Sequence, residues 1–292
     1  MKKKVLPQIA INTVFIIFGI ACIFPLIAMI SVSLSNETDI IKNGYRLIPK
    51  TFDFSAYVYV LYKPIQIINA YKVSLFVSIF GTVASVLVVS GIAYTLSRAD
   101  YKYKNALSFF VFFTMLFNGG LIPSYILISN YLHLKNTIWV LILPYMACPW
   151  FILILRTFMQ KIPVAIIESC TMDGASEFRI FFQIILPLSK PGLATVGLFT
   201  LLQYWNDWWL SLLYIDKESL VPLQYMLYRM MKNIDYLTSS SNMMPPGMKA
   251  ASLPSESARM AMALLAVGPM LFVFPFFQKY FIKGLTVGAV KE

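Results

Sequence analysis

Six apolar runs long enough to cross a bilayer constrain this chain more than any other feature. A helix needs about 20 consecutive apolar residues to cross roughly 30 Å of hydrocarbon. Runs of that length occur at roughly 9–31, 71–97, 106–129, 137–159, 190–214 and 259–282. Hydrocarbon offers backbone amides no water to bond to, so each run is expected to be a helix. Composition agrees, with 59% hydrophobic and 13% charged residues and a mean hydropathy of +0.71, outside the range of soluble domains. The expectation is one all-α, multi-pass membrane domain over residues 1–292. The basic start followed by Ile9–Ile30 looks like a secretion signal, but the apolar run is too long and no clean small-x-small cleavage site follows, so it reads as a retained span.

A net charge of +11 would suggest nucleic acid in a soluble chain; here basic residues held beside cytoplasmic helix ends are the simpler cause. Lys2, Lys3 and Lys4, then Arg98, Lys102 and Lys104, then Arg156 and Lys161, then Lys279, Lys283 and Lys291 flank alternate ends of the spans. They predict cytoplasmic N- and C-termini and place residues 163–187 in the cytoplasm. The connection from Ser31 to Tyr71 is then extracytoplasmic, and Tyr45, Leu47, Ile48, Phe52, Phe54, Tyr57 and Tyr59 suit it to the membrane surface. A second extracytoplasmic loop, 215–258, includes Thr238 to Pro254, which is flexible in composition.

Between the fourth and fifth runs lies a polar stretch, Glu168 to Pro187, ESCTMDGASEFRIFFQIILP. Pro163 can open a helix, Glu168 suits the positive end of its dipole, and Gly174 can end it. The pattern predicts a short surface helix, a turn, and a second helix running to Pro187. Glu168, Ser169, Cys170, Asp173, Gly174, Ala175, Phe181, Ile184, Leu186 and Pro187 resemble the EAA loop of ABC importer permeases. Ser169 and Cys170 replace the family's two alanines but remain small. The resemblance implies the type I ABC importer fold with six transmembrane helices. It also implies that Glu168 faces a basic group on a separate ATPase and that Gly174 lets the loop turn. Asp173 either shares this role or caps the second helix.

The carboxyl end gives a second resemblance. Gln278, Phe281, Gly284 and Gly288 are similar to the tail of carbohydrate-branch permeases, and Gly284 and Gly288 would permit an extended, close-packed path against the ATPase. In the fifth run, Tyr204 to Trp209 reads YWNDWW. An ionisable group at that depth is costly unless it faces a cavity or partner, so Asp207 is either a pathway residue or glue between helices. Trp205, Trp208 and Trp209 offer flat faces for a sugar, although at least one of the three must face lipid or packing, and Asn206 and Asp207 offer hydrogen bonds. Asn118, Gly119, Gly120 and Pro123 interrupt the third run, as a pore-lining hinge or a packing kink; Met115 to Tyr145 resembles the permease subgroup serving complex oligosaccharides.

No Gly-Lys-Ser/Thr phosphate loop occurs among the 13 glycines, so ATP and Mg are expected on a partner subunit and no cofactor on this chain. His133 is the only histidine and lies in a short outer loop; Cys22, Cys148 and Cys170 lie far apart. Neither a metal cluster nor a catalytic pair has the residues it requires. The resemblance implies a non-catalytic permease subunit of a binding-protein-dependent oligosaccharide importer in the bacterial inner membrane. Its partners would be a second homologous permease, two ATP-binding-cassette subunits, an extracytoplasmic solute-binding protein and the lipid bilayer, with no nucleic acid. Alginate-type fragments belong to the substrate range that the subgroup implies. An ABC permease for another solute and an ion-coupled secondary transporter are the alternatives, and an intramembrane enzyme is disfavoured by the missing catalytic pair.

Overall fold

The computed structural model describes residues 5–239 and 254–289; within these, the side chains of 5–7, 10, 238–239 and 279–289 are not described. Almost every element is helical. Among the described residues there is no strand, only an isolated antiparallel bridge between Ser35 and Phe52. In chain order the helices are α1 (Val5–Ser33), α2 (Glu37–Asn43), α3 (Ser55–Val60), α4 (Pro64–Ser97), α5 (Lys104–Leu116), α6 (Leu121–Ile126) and α7 (Pro149–Met159). They continue as α8 (Val164–Met172), α9 (Glu177–Ile180), α10 (Leu186–Leu188), α11 (Lys190–Asn206), α12 (Trp209–Tyr214), α13 (Leu223–Ser239) and α14 (Ser255–Ala289).

Among the described residues three helices are long and apolar enough to cross a membrane alone: Ile11–Ser33, Pro64–Ser97 and Ser255–Gln278. Three more candidates are bent pairs, Lys104–Leu116 with Leu121–Tyr131 at 110°, Ile138–Tyr145 with Pro149–Met159 at 50°, and Glu177–Leu188 with Lys190–Asn206 at 82°. The third run is therefore broken where Asn118 to Gly120 interrupt it, and Asn118 Oδ1 accepts the Gly120 amide at 2.8 Å. The fifth run corrects the expectation of a continuous helix over 190–214. Its helix stops at Asn206 and restarts at Trp209, because the Asp207 carboxylate takes the Leu210 amide at 3.3 Å in place of a helical continuation.

The chain divides into two compact units. One holds residues 1–67 and 227–269. Its buried residues include Val32, Ile40, Ala56, Val60, Ala258 and Met262, and hydrogen bonds accepted by Glu37 tie α2 to the start of α14. Asn36 caps α2, its side chain accepting the Thr38 amide, and also donates to Asp53, which caps the chain entering α3 through the Ser55 amide. Leu223–Ser239 is helical where composition suggests a flexible loop. Leu223, Leu227 and Ile234 are buried, and their spacing of four and seven residues is the period of a one-sided helix. Most of the run Thr238 to Pro254 lies outside the described residues.

The other unit holds residues 68–226 and 270–292 and contains two apolar clusters. One joins Val89, Ala93, Tyr94 and Leu96 of α4 to Phe151, Leu155 and Met159 of α7, to Ile180, Phe181 and Ile185, and to Val196 of α11. The second gathers Val73 and Val77 of α4, Val140 to Ile142, Tyr204, Leu210 and Tyr214. Helix α4 has 34 residues, which at 1.5 Å per residue makes it about 51 Å long. Hydrocarbon is about 30 Å thick, so α4 is longer than is needed to cross it.

Candidate functional site

The polar stretch folds as a helix, a turn and a second helix. Pro163 precedes α8, and the helix ends in a motif set by Gly174, whose φ is +78°. The Gly174 amide donates to the Thr171 carbonyl and the Ala175 amide to the Cys170 carbonyl, both at 3.0 Å. This pair of bonds is a Schellman closure, which needs a left-handed residue at the position glycine occupies. Cys170 and Ala175, the residues that flank the closure, both pack against the cluster containing Ile180 and Phe181. Ser176 accepts the Arg179 amide and caps α9. That corrects the capping role considered for Asp173, which instead ends α8. A π-helical turn, Phe181–Ile185, carries the chain on to α10.

Glu168, Ser169, Asp173 and Gly174 are exposed, while Cys170 and Ala175 are half-buried. Met172 is 88% exposed and Phe178 is 78% exposed, so the loop shows large apolar side chains on a polar surface, as interaction sites do. Beside α8 is a cleft of about 590 Å³ lined by Arg98 and Asp100 after α4, Gln160 after α7, and Glu168, Thr171 and Met172 of α8. Its α4 wall is held by ion pairs. Arg98 Nη2 lies 2.6 Å from Asp100 and 3.2 Å from Glu177, and Tyr94 donates to the other Glu177 oxygen at 2.7 Å. The hydrogen bond from Arg98 holds the Asp100 carboxyl below the usual carboxylate range.

At the break in the fifth run, Tyr145 donates to Asp207 Oδ1 at 2.8 Å, so the carboxylate is satisfied from within the chain at both oxygens. Asn206 is exposed and Asp207 half-buried. Trp205 is only 2% exposed, with Tyr71 at a ring-centroid distance of 6.5 Å; this corrects the expectation of an open flat face, because the ring is used in packing. Asn118 is exposed and bonded within its own turn. The backbone through Gly284 and Gly288 is helical to Ala289, in place of the extended path expected; the side chains around them lie outside the described residues. The cysteines are free, and among the described residues no cluster of His, Cys, Asp and Glu could hold a metal.

Residues 72–287 match the family described as "Binding-protein-dependent transport system inner membrane component". The chain belongs to that family. As an inner-membrane component it is similar over nearly its whole length to transport permeases. It is 36% identical over 276 residues, 94% of this chain and 95% of the relative, to "Polygalacturonan/rhamnogalacturonan transport system permease protein YtcP" of Bacillus subtilis (strain 168). It is 28% identical over 288 residues, 97% of this chain and 96% of the relative, to "Arabinooligosaccharides transport system permease protein AraQ" of the same organism. A solved structure of a bacterial ABC transporter involved in the import of the acidic polysaccharide alginate superposes with a TM-score of 0.79 and 26% identity. That match covers 96% of this chain and 98% of the other. The all-helical permease fold is thus that of ABC importers.

Sequence reading missed several residues that build the site. Glu177 looks like one more charge on a polar loop, and Tyr94 and Arg98 like a helix end, although their spacing of four places both on one face. Tyr145 carried no signal, since its partner Asp207 is 62 residues away.

Proposed function

We propose that this permease is one of two homologous membrane subunits of an ATP-driven importer of oligosaccharides released from polysaccharides. In this reading it works with two ATP-binding-cassette subunits and an extracytoplasmic solute-binding protein. The observation that carries the substrate class is the end-to-end similarity to a permease named for polygalacturonan and rhamnogalacturonan transport, supported by the alginate importer's structure. The polymer imported by that neighbour is an acidic polysaccharide, so acidic oligosaccharides lead the candidate cargo.

The chain has no phosphate loop, so ATP and Mg belong to the partner. With both termini in the cytoplasm, the α8 loop faces that partner, and Glu168, Ser169, Cys170, Asp173, Gly174 and Ala175 form the coupling contact. The exposed Met172 and Phe178 would be covered by the ATPase cleft, and the Schellman closure makes α8 and α9 one bent lever. Gly284 and Gly288 give the tail a close approach to the same subunit. Asn206, Asp207 and Asn118 lie along the pathway, with Trp205 supporting them from behind. Alternating access then follows when ATP closes the cassettes and the loops rock the spans.

The test is uptake by liposomes holding the assembled complex with ATP enclosed, using labelled oligogalacturonides, malto-oligosaccharides and dipeptides. ATP-dependent uptake of an oligosaccharide supports the proposal. Uptake of dipeptides alone, or uptake that persists without the ATPase and follows an ion gradient, overturns it.

A further inference from the structure

Resting on the reading that a partner moves the α8 loop, we propose that Glu177 is a positioning residue through which Tyr94 and Arg98 carry that movement onto α4. Both oxygens of the Glu177 carboxylate are held by α4 or the residue after it: Oε1 lies 3.2 Å from Arg98 Nη2, and Oε2 accepts from the Tyr94 hydroxyl at 2.7 Å. The grip repeats one turn further on. Phe181 packs on the Tyr94 ring with centroids 5.4 Å apart, so residues 94 and 98 face residues 177 and 181 in register.

Arg98 is fixed from several sides. It donates to Asp100 through Nε and Nη2 at 2.8 and 2.6 Å and to the Tyr94 hydroxyl at 3.3 Å, and its guanidinium lies 5.8 Å from the Tyr94 ring centroid. Its side chain is 15% exposed, whereas those of Asp100 and Glu177 are 67% and 59% exposed. Carboxylates that wet contribute little to stability through such pairs. What two donors on two oxygens do supply is direction, because they fix the carboxylate relative to the helix that carries them.

The position of the clamp gives that direction a use. Glu177 begins α9 three residues after Gly174, beyond a turn closed by two hydrogen bonds, so a tilt of α8 reaches Glu177 without slack. On the far side, α4 runs 34 residues unbroken, while the other candidate spans formed within this unit are bent pairs. A push on residues 94 to 98 therefore travels along one rigid rod. Arg98 and Glu168 also line the same cleft, so the clamp lies beside the contact that the partner would load.

The test compares Glu177→Ala, Glu177→Asp and Tyr94→Phe with the unaltered complex in the liposome assay, reading labelled oligogalacturonide uptake and ATP hydrolysis together. A merely structural defect lowers both in step. The proposal predicts that Glu177→Ala keeps ATP hydrolysis but lowers uptake per ATP roughly tenfold, a size typical of coupling between sites. Tyr94→Phe should move the ratio the same way, and Glu177→Asp should restore part of it. An unchanged ratio in Glu177→Ala overturns the clamp, as does a loss in which uptake and hydrolysis fall equally. Gly174→Asp separates the two readings: if it uncouples and Glu177→Ala does not, only the clamp fails, and if neither uncouples, the coupling loop itself is refuted.

Discussion

Glu37 accepts both the backbone amide and the hydroxyl of Ser257, at 3.1 and 2.8 Å, across 220 residues of sequence. The Ser255 hydroxyl and the Glu256 amide add two more bonds to the same carboxylate, which thereby closes the N-terminus of α14. Burial pushes the Glu37 carboxyl up, and the hydrogen bonds from Glu256, Ser257 and Ser255 outweigh it, leaving the group below its ordinary value. A depressed carboxyl stabilises the fold above its unfolded pKa of about 4.3, and that contribution is lost as pH falls through the lower folded value. Thermal unfolding in detergent should therefore show stability falling on the acid side of about pH 4, and Glu37→Gln should flatten that slope. Glu37→Ala, which leaves four donors unmatched, should cost on the order of 3 kcal/mol at neutral pH.

Gly81 and the Tyr204 ring are in close approach. A Cβ at position 81 would stand 2.9 Å from two ring atoms, and the ring cannot swing aside freely because its hydroxyl donates to the Ile142 carbonyl at 2.8 Å and lies 3.0 Å from Ser85 Oγ. Gly81→Ala should destabilise by about 1–3 kcal/mol, read as a lower melting temperature. Adding Tyr204→Leu should recover part of the loss, whereas a Gly81→Ala melting temperature equal to the parent's would show that the packing yields.

Asp207 joins Tyr145 and the Leu210 amide, so its removal costs a cap and a hydrogen bond to an ionised group. Asp207→Ala should lose about 2–3 kcal/mol and impair transport or assembly. Asp207→Asn keeps one acceptor oxygen, which can serve Tyr145 or the Leu210 amide but not both, so its stability should return only part of the way to that of the parent. Uptake by this variant, compared with its stability, tests the charge: a deficit larger than the lost stability explains supports a pathway role, and wild-type uptake limits Asp207 to structure.

At Gly174 a new Cβ would meet nothing within 4 Å, yet φ is +78°. Gly174→Ala should therefore cost only left-handed strain, about 1–2 kcal/mol, with transport retained. Gly174→Asp adds charge on the surface proposed to meet the ATPase, and should abolish uptake while leaving the subunit inserted. Membrane fractionation and uptake together check this.

That the chain is built of apolar helices was readable in the sequence because length and hydropathy are one-dimensional quantities, although among the described residues only three helices are long and apolar enough to cross a membrane unbroken. Direction was not readable. Asn118 to Gly120 announce a break but not a 110° bend, and Asp207 interrupts a run whose flanks are equally apolar. Helix α13 was legible in principle from Leu223, Leu227 and Ile234, but the polar residues between them and the Ser- and Pro-rich run that follows masked the period. The polar loop, apart from the cap of α9, which is Ser176 and not Asp173, was readable down to its turn, since Gly174 acts locally. Its anchorage to Tyr94 and Arg98 was not, because pairings across 83 residues depend on how the helices pack.

The central claim, that α8 meets a separate ATPase, is tested most directly by cross-linking. Ser169→Cys is placed in a chain whose Cys22, Cys148 and Cys170 have been changed to alanine, and the assembled complex is treated with a short bifunctional thiol reagent, using ATPase subunits with single cysteines around their nucleotide-domain cleft. Our account predicts an adduct between position 169 and the ATPase whose yield changes with nucleotide. A complex that transports normally yet gives no such adduct from 169, while a cysteine elsewhere on its cytoplasmic surface does, would contradict it.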